Sequence, residues 1–177
     1  MLETFITSKT RIKLMLKFFL NSNNTGHLRG LATELGESTN SIRLELNRFE
    51  EAGLIVAHNE GPRKVFAVNT RHPIFHDVQN LVRKYVGMDQ LIDKVINRLG
   101  HPERVFIKGN LAQGVDSPTI NMVIVAEQID EAYLKNLIAK AQKVVSRTIE
   151  YTLLAPRDFN TNFPQQEKLL LVWEHKE

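Results

Sequence analysis

Apolar positions recur at helical spacing through the first fifty residues and then switch to extended runs. Leu28, Leu31, Ala32 and Leu35 fall on one helical face and stop at Gly36, where a residue without a Cβ takes positive φ and forces a turn. Ser38 is placed to cap the next helix, in which Ile42, Leu46 and Phe49 stand at i, i+4 and i+7 and point into a core. Gly53 ends that helix. Upstream, Ser8 to Asn21 predicts a first helix with a broad apolar surface of Ile12, Leu14, Met15, Leu16, Phe18, Phe19 and Leu20. Downstream, Leu54 to Ala57 and Lys64 to Val68 are β-prone runs, and the turn-rich segment His58 to Arg63 between them predicts a hairpin.

Helix, tight turn, helix and hairpin together make Leu28 to Val68 a winged helix-turn-helix. The polar face of its second helix carries Thr39, Asn40, Arg43 and Asn47. Short polar groups and one arginine near the start of an exposed helix are the chemistry that reads base edges and phosphates in the major groove. Arg63 and Lys64 sit at or beside the tip of the hairpin, where cations reach a phosphate or the minor groove. Double-stranded DNA is therefore the expected partner. The competing reading makes these residues solvated charges on a protein-interaction module, because fold alone does not fix function.

Beyond the hairpin, His72-Pro73 predicts a helix start, since proline at the first helical position loses no hydrogen bond. Ile74, Phe75, Val78, Leu81, Val82, Tyr85 and Val86 form one apolar stripe, and Leu91, Ile92, Val95, Ile96 and Leu99 a second after Gly87, so two helices or one kinked helix are expected. That much apolar surface needs a partner, either the carboxy-terminal domain or the same helix of a second copy, and a homodimer is expected. His72 and His76 have metal-ligand spacing, but no third ligand lies nearby and no metal site is expected.

The second half alternates strand and helix. Arg104 to Lys108 predicts a strand, Gly109 to Gly114 a turn, Ile120 to Ala126 a buried strand, Glu131 to Ser146 an amphipathic helix, and Thr148 to Leu154 and Lys168 to Trp173 two more strands. The chain is expected to be α+β, with a winged helix-turn-helix over 1–70, connecting helices over 71–100 and an α/β sheet domain over 101–177.

The segment Val105 to Ala126, VFIKGNLAQGVDSPTINMVIVA, resembles the signature of the minimal nucleotidyltransferase fold. There a strand leads to Gly-Ser, a short helix with a small residue and a glycine, then Ser-Asp-x-Asp and a hydrophobic strand. His72 to Phe75, Lys84 to Gly87, Arg147 to Tyr151 and Pro156 to Phe159 are also similar to prokaryotic regulators that join a winged helix to such a domain. The resemblance implies that Gly-Ser sets a hydroxyl and backbone N–H groups against phosphates. It also implies that two aspartates on one strand face hold divalent metal. In this chain the serine position is Asn110 and the aspartate positions are Thr119 and Asn121. Each offers an oxygen, but neither Thr119 nor Asn121 carries the negative charge that fixes Mg²⁺ beside a triphosphate. Asp116, three residues before Thr119, and Glu150, near the family's third-carboxylate region, do not restore a pair on one strand face. An inactive nucleotidyltransferase-like domain with no catalytic residues, metal or cofactor is expected. Lys108, Gly109 and Asn110, with the following helix N-terminus, retain groups that can cradle a phosphate, which would suit a nucleotide-like effector, although the glycines also serve plain turn geometry.

Composition narrows the classes without choosing among them. The 177 residues contain no cysteine, which excludes a disulfide framework and thiolate chemistry. Lys9, Arg11, Lys13 and Lys17 interrupt the first helix, and no apolar run reaches membrane-spanning length, so a soluble cytoplasmic protein with no membrane partner is expected. Net charge is +3, with nine cations against seven acids over 1–70, five against three over 71–100 and nine against ten over 101–177. The basic excess lies in the first hundred residues, compatible with DNA but too small to argue for it. P-loop, G-x-S-x-G and H-E-x-x-H motifs are absent. The sequence thus predicts a DNA-binding transcriptional regulator whose second domain serves dimerisation or ligand sensing. The alternatives are a nucleotidyltransferase with an atypical site and an antitoxin-like or scaffolding subunit that binds another protein.

Overall fold

Side-chain caps open the three N-terminal α-helices in the structure, a computed structural model that describes residues 2–100, 102–164 and 168–175. Ser8 Oγ accepts from the Arg11 N–H at 3.2 Å to start α1 (Lys9–Met15), which widens into a π-type turn over Leu16–Leu20. His27 Nδ1 accepts from the Gly30 N–H at 3.0 Å to start α2 (Leu28–Leu35), and Ser38 Oγ accepts from the Ser41 N–H at 3.0 Å to start α3 (Thr39–Glu51). Between α2 and α3 the chain turns at Gly36, φ +62°. Leu31, Leu35, Ile42, Leu46 and Phe49 are buried with Leu14, Leu16, Phe18 and Phe19, so the inward faces predicted for these helices meet in one core.

The β-part of this half is larger than the apolar pattern predicts. A strand β1 (Thr25–His27) joins β2 (Ile55–Glu60) and β3 (Arg63–Val68) in an antiparallel sheet of order β1-β3-β2. The polar run His58-Asn59-Glu60 belongs to β2 and not to a loop, and only Gly61 and Pro62 form the turn. Gly61, φ +59°, supplies the positive φ at the first position of this two-residue turn, which a residue without a Cβ adopts freely. Short-range polarity hid this, because a solvent-projecting hairpin is polar on both faces.

His72-Pro73 does not start a helix as its sequence predicts but lies outside any helix. His72 Nε2 donates to the Ala52 carbonyl at 3.1 Å and Nδ1 accepts from the Ile74 N–H at 3.3 Å, so the pair forms a turn and α4 (Phe75–Val86) starts two residues later. Phe75 stacks on Phe19 with centroids 6.0 Å apart, and Gln79 Nε2 donates to the Phe19 carbonyl at 3.2 Å. Of the first stripe Phe75, Val82 and Val86 are buried, whereas Ile74 and Leu81 are exposed.

The chain divides into two units, Met1–Tyr85 with Gly114–Asp116, and Val86–Gln113 with Ser117–Glu177. Gly87 separates α4 from α5 (Met88–Lys94), so the two-helix option holds. In the second unit β4 (Arg104–Lys108), β5 (Thr119–Val125), β6 (Thr148–Leu154) and β7 (Leu170–Glu174) form a sheet of order β6-β5-β4-β7. α6 (Glu131–Val145), capped by Asp130, carries the chain from β5 to a parallel β6, and β4 runs antiparallel to both β5 and β7. β5 is central and apolar on both faces, as its continuous run predicts. Val123 and Val125 pack with Phe106, Leu169 and Phe159 of α7 (Pro156–Asn162), and the Phe106 and Phe159 rings stack at 4.8 Å. The class is α+β, and no described helix is long and apolar enough to cross a membrane.

Candidate nucleic-acid interface

The exposed face of α3 follows from its buried one. Ile42, Glu45, Leu46 and Phe49 are buried, and Thr39, Asn40, Arg43, Leu44, Asn47 and Arg48 are exposed. Arg43 and Asn47 line a groove of about 500 Å³ together with Arg63 and Lys64 of β3. His27, the cap of α2, and Arg29 in its first turn also line it, with Leu28, Pro62 and Phe66, so four cations and no carboxylate line the groove. Thr39 and Asn40 lie in the first turn of α3, exposed and outside that lining. Four of the six predicted contact residues therefore share one concavity. Arg29 is the residue that sequence reasoning missed. Its signal was a cation in the first turn of a helix, where the helix dipole disfavours positive charge and only a negative partner offsets the cost.

Lys64 reaches the groove already engaged. Its Nζ donates to Glu50 Oε2 at 2.8 Å and lies 5.1 Å from the centroid of the Phe66 ring. No ion pair involving Arg43 or Arg63 is recorded among the described residues, and both are exposed.

A buried carboxylate sets the position of α3. Glu45 Oε2 accepts from Arg11 Nε at 2.8 Å, and Oε1 accepts from Ser8 Oγ and from Arg48 Nη1, each at 2.9 Å. Burial pushes the Glu45 carboxyl up, but the Arg11 and Ser8 hydrogen bonds and the charges of Arg11 and Arg48 outweigh it and leave the pKa lowered. Two more pairs tie α1 and the π-type turn after it to the segment around α2: Lys13 of α1 to Glu37 at 2.6 Å and Lys17 of the turn to Glu34 at 2.7 Å. The Lys13 and Thr10 hydrogen bonds hold Glu37 below the usual carboxylate range.

In the second unit, the polar residues singled out in sequence gather at one end of the sheet. Lys108 pairs across β4 and β5 with Asn121, which in turn stands in register with Glu150 of β6, and Thr119 with Thr148. In-register neighbours share a face, so Lys108, Asn121 and Glu150 project from the side that further along carries Phe106 and Val123. Lys108 Nζ donates to Thr152 Oγ1 at 3.3 Å and lies 5.8 Å from the Phe163 ring centroid. Gly109 turns the chain with φ +73°, a conformation that favours glycine, and Asn110 follows, exposed. Thr119 and Asn121 occupy the first and third positions of β5, half-buried. The site holds one lysine and one exposed glutamate with neutral side chains between them, which can hydrogen-bond a ligand but offers no carboxylate pair.

No protein-family model matches the chain, and no curated protein matches it in sequence. Among solved structures, the reduced form of HlyU from Vibrio cholerae is similar over 49% of this chain and 83% of its own, at 14% identity and a TM-score of 0.38.

Proposed function

We propose that this chain is a transcriptional regulator that binds double-stranded DNA through α3 and the β2–β3 hairpin. One observation carries the proposal. Arg29, Arg43, Asn47, Arg63 and Lys64, drawn from two helices and a strand, converge on one groove with no carboxylate in its lining. A cationic concavity beside an exposed helix bearing Asn and Arg matches the division of labour in DNA recognition, in which base edges are read by the helix and phosphates are held at its flanks. Selection of bound duplexes from a random pool, followed by titration against salt, tests it. Enrichment of a common sequence and a log–log salt slope of about −0.9 per phosphate contact are expected. Failure to retain any duplex at low salt would defeat the proposal.

The second unit serves, in this proposal, as a catalytically silent nucleotidyltransferase-like domain used for dimerisation or for sensing a nucleotide-like ligand. The neutral Thr119 and Asn121 at the start of a central strand support it, since metal-bound phosphoryl transfer needs charge there to offset the developing anion. Incubation with Mg²⁺ or Mn²⁺ and each labelled nucleoside triphosphate is expected to label neither protein, RNA nor small acceptors. Thr119→Asp combined with Asn121→Asp is expected to raise divalent-metal affinity, read by calorimetry, because two carboxylates then stand on one strand face. Robust metal-dependent transfer by the unaltered chain would instead assign it to the enzymes.

A further inference from the structure

We infer that Leu44 is a specificity residue that reads the methyl group of a thymine, an inference that rests on α3 being the DNA-reading helix. Leu44 is 52% exposed on α3, whereas Ile42, Leu46 and Phe49 of the same helix are between 0% and 5% exposed. At the helical rotation of one turn per 3.6 residues, Asn40, Arg43, Leu44 and Asn47 fall within an arc of about 100°, centred opposite the buried side. The leucine is thus the one large apolar group on a polar reading face, flanked by Asn40 one turn before it and Asn47 one turn after.

Its neighbours on that arc can pair with base edges by hydrogen bonds, asparagine with adenine and arginine with guanine. Leucine has no donor or acceptor, and the apolar group that a base pair shows in the major groove is the thymine C5-methyl. Side chains three or four apart on a helix are separated by roughly 5–6 Å, and stacked base pairs by about 3.4 Å, so the thymine lies within about two base pairs of the base met by Asn40 or Asn47. Leu44 therefore gives the helix a chemical discrimination that its polar residues lack.

Replacement of each thymine of the selected duplex by uracil, one at a time, removes the methyl and leaves every hydrogen-bonding edge intact. With the full chain, fluorescence anisotropy is expected to show one thymine per half-site at which uracil weakens binding roughly fourfold, the factor that corresponds to about 0.8 kcal/mol for one buried methyl-sized group. Leu44→Ala is expected to bind the thymine duplex as the unaltered chain binds the uracil one and to lose the uracil penalty at that position. Leu44→Met, similar in volume, is expected to keep it. Because the side chain is exposed, neither substitution removes core contacts. A duplex that is bound tightly but shows no uracil penalty, or a penalty that persists in Leu44→Ala, would overturn the role of Leu44 and leave DNA binding standing. Absence of binding to any duplex would remove both.

Discussion

Replacing Glu45 with alanine is expected to destabilise the first unit by about 2–4 kcal/mol, because it removes a buried carboxylate with hydrogen-bond partners on two helices and a cap. Ser8, the cap of α1, and Arg11 of α1 both bind Glu45, as does Arg48 of α3 itself. Charge-assisted hydrogen bonds contribute roughly 1.5–3 kcal/mol each when buried, but the Arg11 side chain is 35% exposed and Arg48 58%, so both cations rehydrate and the loss falls short of the sum. In a unit of this size the melting temperature should drop by roughly 10–20 °C. Amide hydrogen exchange at Ile42 and Leu46 reports the unit directly, since the single tryptophan, Trp173, lies in the other one. The sign of the pH dependence follows from the lowered pKa of Glu45. Its contribution is fully present above the ordinary glutamate value of 4.5 and is lost as the pH falls through the depressed folded-state value. The difference between the unaltered chain and Glu45→Ala should therefore shrink below pH 4.5. A loss at neutral pH below about 0.5 kcal/mol, the range of ordinary surface changes, would show that the network does not hold α3.

The parts of this fold that were legible in the sequence are those where one periodicity dominates. Ile42, Leu46 and Phe49 gave α3 its inward face, Ser38 its start, and the unbroken apolar run of β5 its central place in the sheet. What escaped depended on partners distant in sequence. β1 is three residues of Thr-Gly-His with no apolar alternation, and it exists because β3 offers a free edge thirty-eight or more residues later. His72-Pro73 has the local chemistry of a helix start, but the Ala52 carbonyl, twenty residues back, takes the imidazole and fixes a turn. The groove was half legible for the same reason. Arg43, Asn47, Arg63 and Lys64 stand out by type and position, whereas Arg29 joins them only when α2 is laid against the hairpin. Glu45 was invisible as a network centre, because a carboxylate on the core side of a helix reads as a break in the pattern until Arg11 and Ser8 are seen around it.

At the selected duplex, Arg43→Ala and Asn47→Ala are each expected to weaken binding by about 1–3 kcal/mol, or roughly 5- to 150-fold, and to relax the preference at the base each one meets. Both side chains are exposed and line the groove, so their removal leaves the core of α3 intact. They stand one turn apart on the same face of α3, within the range at which effects couple, so the effects of the double variant are not expected to add. Arg63→Ala should act differently, weakening all duplexes alike and flattening the log–log salt slope by about one unit, as loss of a single phosphate contact does. Lys64→Ala should flatten it less. The Glu50 carboxylate 2.8 Å from its ammonium already neutralises part of that charge. Glu50→Gln removes the competitor, and it is expected to tighten binding to every sequence and to restore the full effect of Lys64→Ala. Unchanged affinity in both Arg43→Ala and Asn47→Ala would take α3 out of the groove. A sequence-selective loss in Arg63→Ala would move the hairpin from the phosphates to the bases.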